Sequence, residues 1–160
     1  MASFFFFYGT LLDHDVMALV IGRRLPPAAF VPARLKGHVR RRAKGVSHPI
    51  VVRDSGGEVG GVVVGGLTKR DVERLTAFEG PRYRIVPIKV TVDSALKIVS
   101  VFEPKEESFQ PVDGVWDLGL WQGRYKRAFI ARIRKAFSAL PARPERPARD
   151  GRTEKRRRAK

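Results

Sequence analysis

Apolar positions along the chain fall into short blocks separated by turn residues, with no single period running throughout. Ser3 to Tyr8 is unbroken and aromatic, the pattern of a strand buried on both faces, and it runs into Gly9. Asp13 then caps a helix through about Ile21, with Val16, Leu19 and Val20 inward and Gly22 ending it. Ala33 to Arg40 and Pro49 to Arg53 read as strands. Asp54-Ser55-Gly56-Gly57 reads as a turn, from which Glu58 to Val64 returns as a β-branched strand. Thr68, with Asp71 three residues later, forms a capping box that opens a short helix to about Ala77, with Val72 and Leu75 inward. Arg84 to Val92 and Leu96 to Glu103 are two further strands. From Arg124 to Leu140 the spacing becomes helical again. Tyr125, Phe129, Ile133, Phe137 (or Ala136) and Leu140 share one stripe, with Arg124, Arg127, Arg134 and Lys135 off it. The pattern predicts an α+β chain, a curved mixed sheet or small barrel with a few short helices and no internal repeat.

Composition narrows this picture. A length of 160 residues with 43 % hydrophobic side chains suits one domain with a core, plus a tail. The absence of cysteine excludes a disulfide framework, a thiol nucleophile and a thiolate metal site. His14, His38 and His48 lack any metal-binding spacing, so no metal is expected. The longest apolar runs, Phe4 to Tyr8 and Val16 to Ile21, fall far short of the roughly 20 residues that span a bilayer. The N-terminus has no basic region or cleavage site of a signal peptide, and Ala2 excludes myristoylation. These features predict a soluble cytoplasmic protein.

Charge is distributed unevenly. The formal net charge is +16, and residues 34–44, 121–140 and 141–160 each contribute +6. The expected organisation is therefore a domain over 1–140, ending in a basic amphipathic helix at about 124–140. A tail at 141–160, with prolines at 141, 144 and 147, is too polar to offset its ordering entropy and is expected to be disordered. The basic helix face has two open uses, a solvated surface or a contact with nucleic acid or anionic lipid.

Two segments are candidates for chemistry. Tyr8-Gly9-Thr10-Leu11 turns a buried strand into a helix, where glycine permits close backbone approach and successive amides can cradle an anion. A strand-to-helix turn needs a glycine in any case. Glu79, between Phe78 and Gly80, is a carboxylate in an apolar setting, where a raised pKa suits a general base, but taken alone it reads as a surface residue closing a helix. The glycine-rich stretch Val59 to Gly66 lacks the lysine–serine pair of a phosphate loop, so its glycines are read as allowing close strand packing or a bulge.

Together the segments carry more than either alone. Tyr8-Gly9-Thr10-Leu11, Leu35-x-Gly37, Gly61 and Leu75-x-x-Phe78-Glu79-Gly80-x-x-Tyr83-Arg84, followed by Pro87 to Val92, resemble the γ-glutamylcyclotransferase-like superfamily. The likeness is to its AIG2-like and γ-glutamylamine cyclotransferase branch and covers about residues 4–103. The resemblance implies a small barrel-like sheet and a cofactor-free reaction that cyclises a γ-glutamyl group to 5-oxoproline and releases an amine. It implies Glu79 as general acid and base, and Tyr8, Gly9, Thr10 and Leu11 as the loop holding the glutamyl part. Tyr83 matches the pattern too and is either core or pocket lining. Where many members have an aromatic residue before the proline, this chain has Ser47-His48-Pro49, leaving His48 as a loop residue or a specificity contact. The basic strip Arg40, Arg41 and Arg42 and the basic residues of 124–160 are not required by the pattern. They keep open a second function, a non-catalytic module that binds nucleic acid or another polyanion.

Overall fold

The computed structural model describes residues 3–138. Leu140 and the tail expected at 141–160 lie outside the described residues. The elements are β1 (Ser3–Phe7), a 3-10 turn (Thr10–Leu12), α1 (His14–Ile21), a second 3-10 turn (Pro27–Ala29), β2 (Phe30–Ala43) and β3 (Pro49–Leu67). After them come α2 (Lys69–Glu79), β4 (Tyr83–Val92), β5 (Ala95–Pro104), β6 (Pro111–Val112), α3 (Leu118–Arg124) and α4 (Lys126–Ser138).

The strand order is β3-β1-β5-β4-β2-β6, and β2 also pairs with β3, so five strands close into a small barrel with β6 added to the far end of β2. The sheet is mixed. β1 lies parallel to β5, and the other pairings are antiparallel. Closure between β2 and β4 runs through a single register pair, Arg34 with Thr91.

The unbroken aromatic run of β1 is explained by burial on both sides, because alternate residues of a strand face opposite ways. Phe6 and Tyr8 point into the barrel with Leu35, Val59, Val90 and Val101. Phe5 and Phe7 point outward into a second core, built with Val16, Met17 and Val20 of α1, Leu75 of α2 and Trp121. Phe5 also stacks on Phe102 of β5 at 5.1 Å between ring centroids.

Several elements differ from their expected bounds. Asp54–Gly57 does not reverse the chain. β3 runs straight through it, and pairing with β2 steps from Lys36–Glu58 to His38–Arg53, so residues 54–57 form a bulge opposite Gly37. Paired strand on both sides of the bulge holds the ribbon extended and overrides the local turn signal. The reversal falls instead at residues 44–48, between Ala43 and Pro49. α2 continues past Ala77 to Glu79 and ends on Gly80, whose φ of +79° suits glycine. The expected helix from Arg124 is two helices broken at Tyr125, which is 38 % exposed and so leaves the apolar stripe. Phe129 is buried, and Ile133 and Phe137 pack against the outer core. Among the described residues no helix is long and apolar enough to cross a membrane.

Candidate active site

At one end of the barrel, the loop after β1, the end of α2, the start of β4 and the 44–48 reversal meet around a cavity of about 150 Å3. The candidate catalytic and glutamyl-binding residues from the sequence line it, whereas Arg40, Arg41 and Arg42 do not. Tyr8, Gly9, Thr10 and Leu11 form one wall, Glu79 and Tyr83 another, and His48 and Pro49 close a third side. Phe78, Phe129 and Ile133 supply apolar surface, with Phe78 set edge-on to Phe129 at 6.1 Å.

The β1 loop is held from below. Asp13 caps α1, its Oδ1 accepting the amides of Asp15 and Val16 at 3.0 Å. Its Oδ2 accepts Gln122 Nε2 and Lys126 Nζ, each at 2.8 Å, so the cap is tied to α3 and α4. Burial works against the Asp13 carboxylate, but these hydrogen bonds outweigh it and hold its pKa below the ordinary value. The amides of Leu12 and Asp13 close the 3-10 turn onto the carbonyls of Gly9 and Thr10. Those of Thr10 and Leu11 open the turn and have no acceptor inside it. A Cβ on Gly9 would stand 3.1 Å from Pro49 Cδ, so glycine here lets the loop pack against the proline that closes the cavity.

Glu79 is the last residue of α2, half-buried, with its carboxyl in the cavity. Burial pushes its pKa up to about 8. Among the described residues it has no ion-pair partner. Its neighbours are hydroxyls. The Tyr83 hydroxyl lies 3.4 Å from His48 Nδ1, and burial together with Glu79 keeps this phenol protonated. The Tyr8 hydroxyl donates to the Phe102 carbonyl at 3.4 Å, and burial likewise raises its pKa. Burial lowers the pKa of His48, which is neutral at pH 7. The site therefore combines one carboxyl poised near neutrality, protonated phenols, a neutral imidazole and backbone amides. Such a set can move a proton at a bound substrate. Among the described residues no cluster of three or more histidine, aspartate or glutamate side chains is placed to hold a metal ion.

Two features of this end went unread in the sequence. Trp116 Nε1 donates to the Ser47 carbonyl at 2.8 Å and Trp121 Nε1 to Ser47 Oγ at 3.2 Å, so both indoles fix the residue before His48. Asp117, the N-cap of α3, was the available signal for that helix. The basic strip is divided. Arg41 and Arg42 are exposed, whereas Arg40 is half-buried over the Trp116 ring and donates to the Gly60 carbonyl.

Comparison with known proteins agrees with this geometry. The family model described as gamma-glutamyl cyclotransferase, AIG2-like, matches residues 5–121. AIG2-like protein A of Arabidopsis thaliana is 31 % identical over 132 residues, which cover 81 % of this chain and 78 % of that protein. A solution structure from Arabidopsis thaliana superposes with a TM-score of 0.61 at 29 % identity, covering 88 % of this chain and 95 % of that one. A solved structure named gamma-glutamyl cyclotransferase superposes with a TM-score of 0.59 over 90 % of both chains, and at 16 % identity it is a likeness of fold. With the matched stretch spanning the barrel, the β1 loop and Glu79, the chain belongs to the AIG2-like gamma-glutamyl cyclotransferase family.

Proposed function

We propose that this protein is a γ-glutamyl cyclotransferase that converts a γ-glutamyl amine or peptide to 5-oxoproline and the free amine. The observation that carries the reading is the meeting of Glu79 with the Tyr8–Leu11 loop in one small cavity, in a chain of this family. The ionised Glu79 carboxylate takes a proton from the substrate's α-ammonium. The freed nitrogen attacks the γ-carbonyl carbon, forming the ring C–N bond. The ring nitrogen then gives up its second proton as the tetrahedral centre collapses and the bond to the leaving nitrogen breaks. Glu79 relays both protons in turn to that nitrogen, which departs as an ammonium, and is left ionised as it began. No water is consumed, and nucleophile and electrophile belong to one molecule, so proximity supplies much of the rate. Backbone amides of the Tyr8–Leu11 loop hold the glutamyl carboxylate or the developing oxyanion. Tyr83 and His48 line the cavity as donors and shape.

At pH 7 a carboxyl of pKa about 8 is mostly protonated, so the free site is close to neutral. An arriving α-ammonium supplies the counter-charge that the protein withholds, and draws Glu79 into its ionised form. The test is 5-oxoproline release from a panel of γ-glutamyl amines and dipeptides. Wild type should turn over at least one member, and Glu79→Gln should lose about 100-fold or more of kcat. Turnover that survives in a folded Glu79→Gln protein would remove Glu79 from the reaction.

The alternative, a polyanion-binding module, draws support from exposed Arg41, Arg42, Arg127 and Arg134. Its half-buried Arg40 is committed to Trp116 and Gly60, which weakens the strip as a continuous contact. Its mark would be nucleic-acid affinity that falls steeply with salt.

A further inference from the structure

The catalytic cavity holds about 150 Å3, about half the lower bound of roughly 300 Å3 for a drug-sized ligand. A γ-glutamyl head fits such a space, and the rest of a peptide substrate must lie outside it. Two grooves of about 420 and 780 Å3 adjoin the cavity, and His48 lines all three spaces. Phe129 is shared between the cavity and the larger groove.

The charge of these grooves is one-sided. Arg42 lines both, Arg124 lines the smaller, and Lys44 and Arg132 line the larger. All four are exposed. The ion pairs of the described residues are made by Arg23, Arg24, Arg34, Arg84 and Lys126, and none reaches these four cations. The acid lining the grooves is Asp117, whose Oδ1 already accepts the Leu120 amide as the cap of α3. Arg132 stacks over Phe129 at 5.3 Å and Arg124 over Tyr125 at 5.4 Å. Stacking occupies the guanidinium faces and leaves their N–H edges for carboxylate oxygens. Between the cations lie exposed apolar side chains, Val115 at 82 % and Leu120 at 69 %. That mixture suits a peptide with apolar and acidic residues better than a bare inorganic anion.

Resting on the cyclotransferase reading, we propose that these grooves receive the leaving half of the substrate, and that Arg42, Lys44, Arg124 and Arg132 select γ-glutamyl compounds whose leaving amine is an acidic peptide. The carboxylates face the grooves while the γ-glutamyl head occupies the cavity beside Glu79. A leaving amine that carries a positive charge is repelled by the same surface.

The experiment compares γ-Glu-Leu-Asp with its uncharged counterpart γ-Glu-Leu-Asn-amide, and adds γ-Glu-Leu-Asp-amide to separate side-chain from terminal carboxylate. The fully acidic compound should have a kcat/KM about tenfold or more above the neutral one at low salt, narrowing at about 0.5 M salt. In an Arg42→Gln, Arg132→Gln double variant the ratio should fall towards one. Equal kcat/KM for the acidic and neutral compounds overturns the selectivity while leaving cyclisation intact. Silence with every γ-glutamyl compound counts against the cyclotransferase reading, and a second measurement then decides the selectivity. Glutaryl-Leu-Asp and glutaryl-Leu-Asn-amide lack the α-amine and cannot cyclise, so their binding to the wild-type protein is read by calorimetry. Tighter binding of the acidic compound by about tenfold supports the inference. Equal binding, or no binding of the acidic compound, overturns it.

Discussion

A carboxyl at the C-terminal end of a helix faces the negative pole of the helix dipole, and Glu79 occupies that position in α2. Burial is the main cause of its raised pKa, and the helix end acts in the same direction. For catalysis, kcat/KM should rise with pH towards an apparent pKa near 8, and this limb should vanish in Glu79→Gln; a pH profile of 5-oxoproline release checks both. Stability has the opposite slope. The folded pKa lies above the unfolded value of 4.5, so the folded chain binds the extra proton and the contribution is complete below pH 4.5. It is lost as pH rises to about 8. Melting temperatures of wild type and Glu79→Gln should therefore diverge by a few degrees between pH 5 and 8.5, the variant gaining. At this scale the sequence was informative about which residues meet at the cavity, because Glu79 and the Tyr8–Leu11 loop each stand beside a glycine that marks a turn in adjacent residues. Ser47, Trp116 and Trp121 were not legible as a unit, since the indoles lie 69 and 74 positions along the chain from Ser47 and nothing local announces that they meet it.

Elements were readable where a local motif fixes them. Asp13 and Gly22 bound α1, and the Thr68–Asp71 capping box opens α2, both as their side-chain chemistry dictates. Asp54–Gly57 misled because its turn residues sit inside a ribbon whose pairing continues on both sides. α3 was hidden by Gly119 and Gly123, two poor helix formers in seven residues, and it depends on the Asp117 cap and the buried Trp121. The same scale gives two mutational outcomes. Asp13→Ala removes the α1 cap, takes the acceptor from Gln122 and leaves Lys126 its bond to Asp15 alone, which should cost about 2 kcal/mol in urea unfolding. Gly61→Ala would drive a Cβ into the Phe7 carbonyl and the Phe6 ring, both in β1. It should cost about 1–3 kcal/mol and lower activity by displacing the Tyr8–Leu11 loop, a paired change that denaturation and turnover assays would read together.

At the level of the whole molecule, the barrel end, α2 and α4 each supply part of the cavity. Phe129 and Ile133 of α4 wall the cavity, and the family match ends at residue 121, short of both. A chain ending at residue 124 should therefore bind and turn over far less substrate than one ending at 138, even if the barrel folds. Residues 141–160 are too polar in sequence to pack into a core, so removing them should leave turnover of a neutral substrate within about twofold. Circular dichroism alongside 5-oxoproline release separates loss of fold from loss of function in both truncations.

Trp116 and Trp121 are the two tryptophans of the chain, and both point at Ser47 from the C-terminal segment. The barrel itself contains none. Intrinsic emission excited at the indole band is therefore silent about the strands and reports on the seam between the 44–48 reversal and the helices that follow β6. If that seam opens before the barrel melts, the emission maximum shifts to the red at a denaturant concentration where the far-ultraviolet strand signal is still intact. A native chromophore pair thus serves as a gauge of access to the mouth of the site, with no label attached.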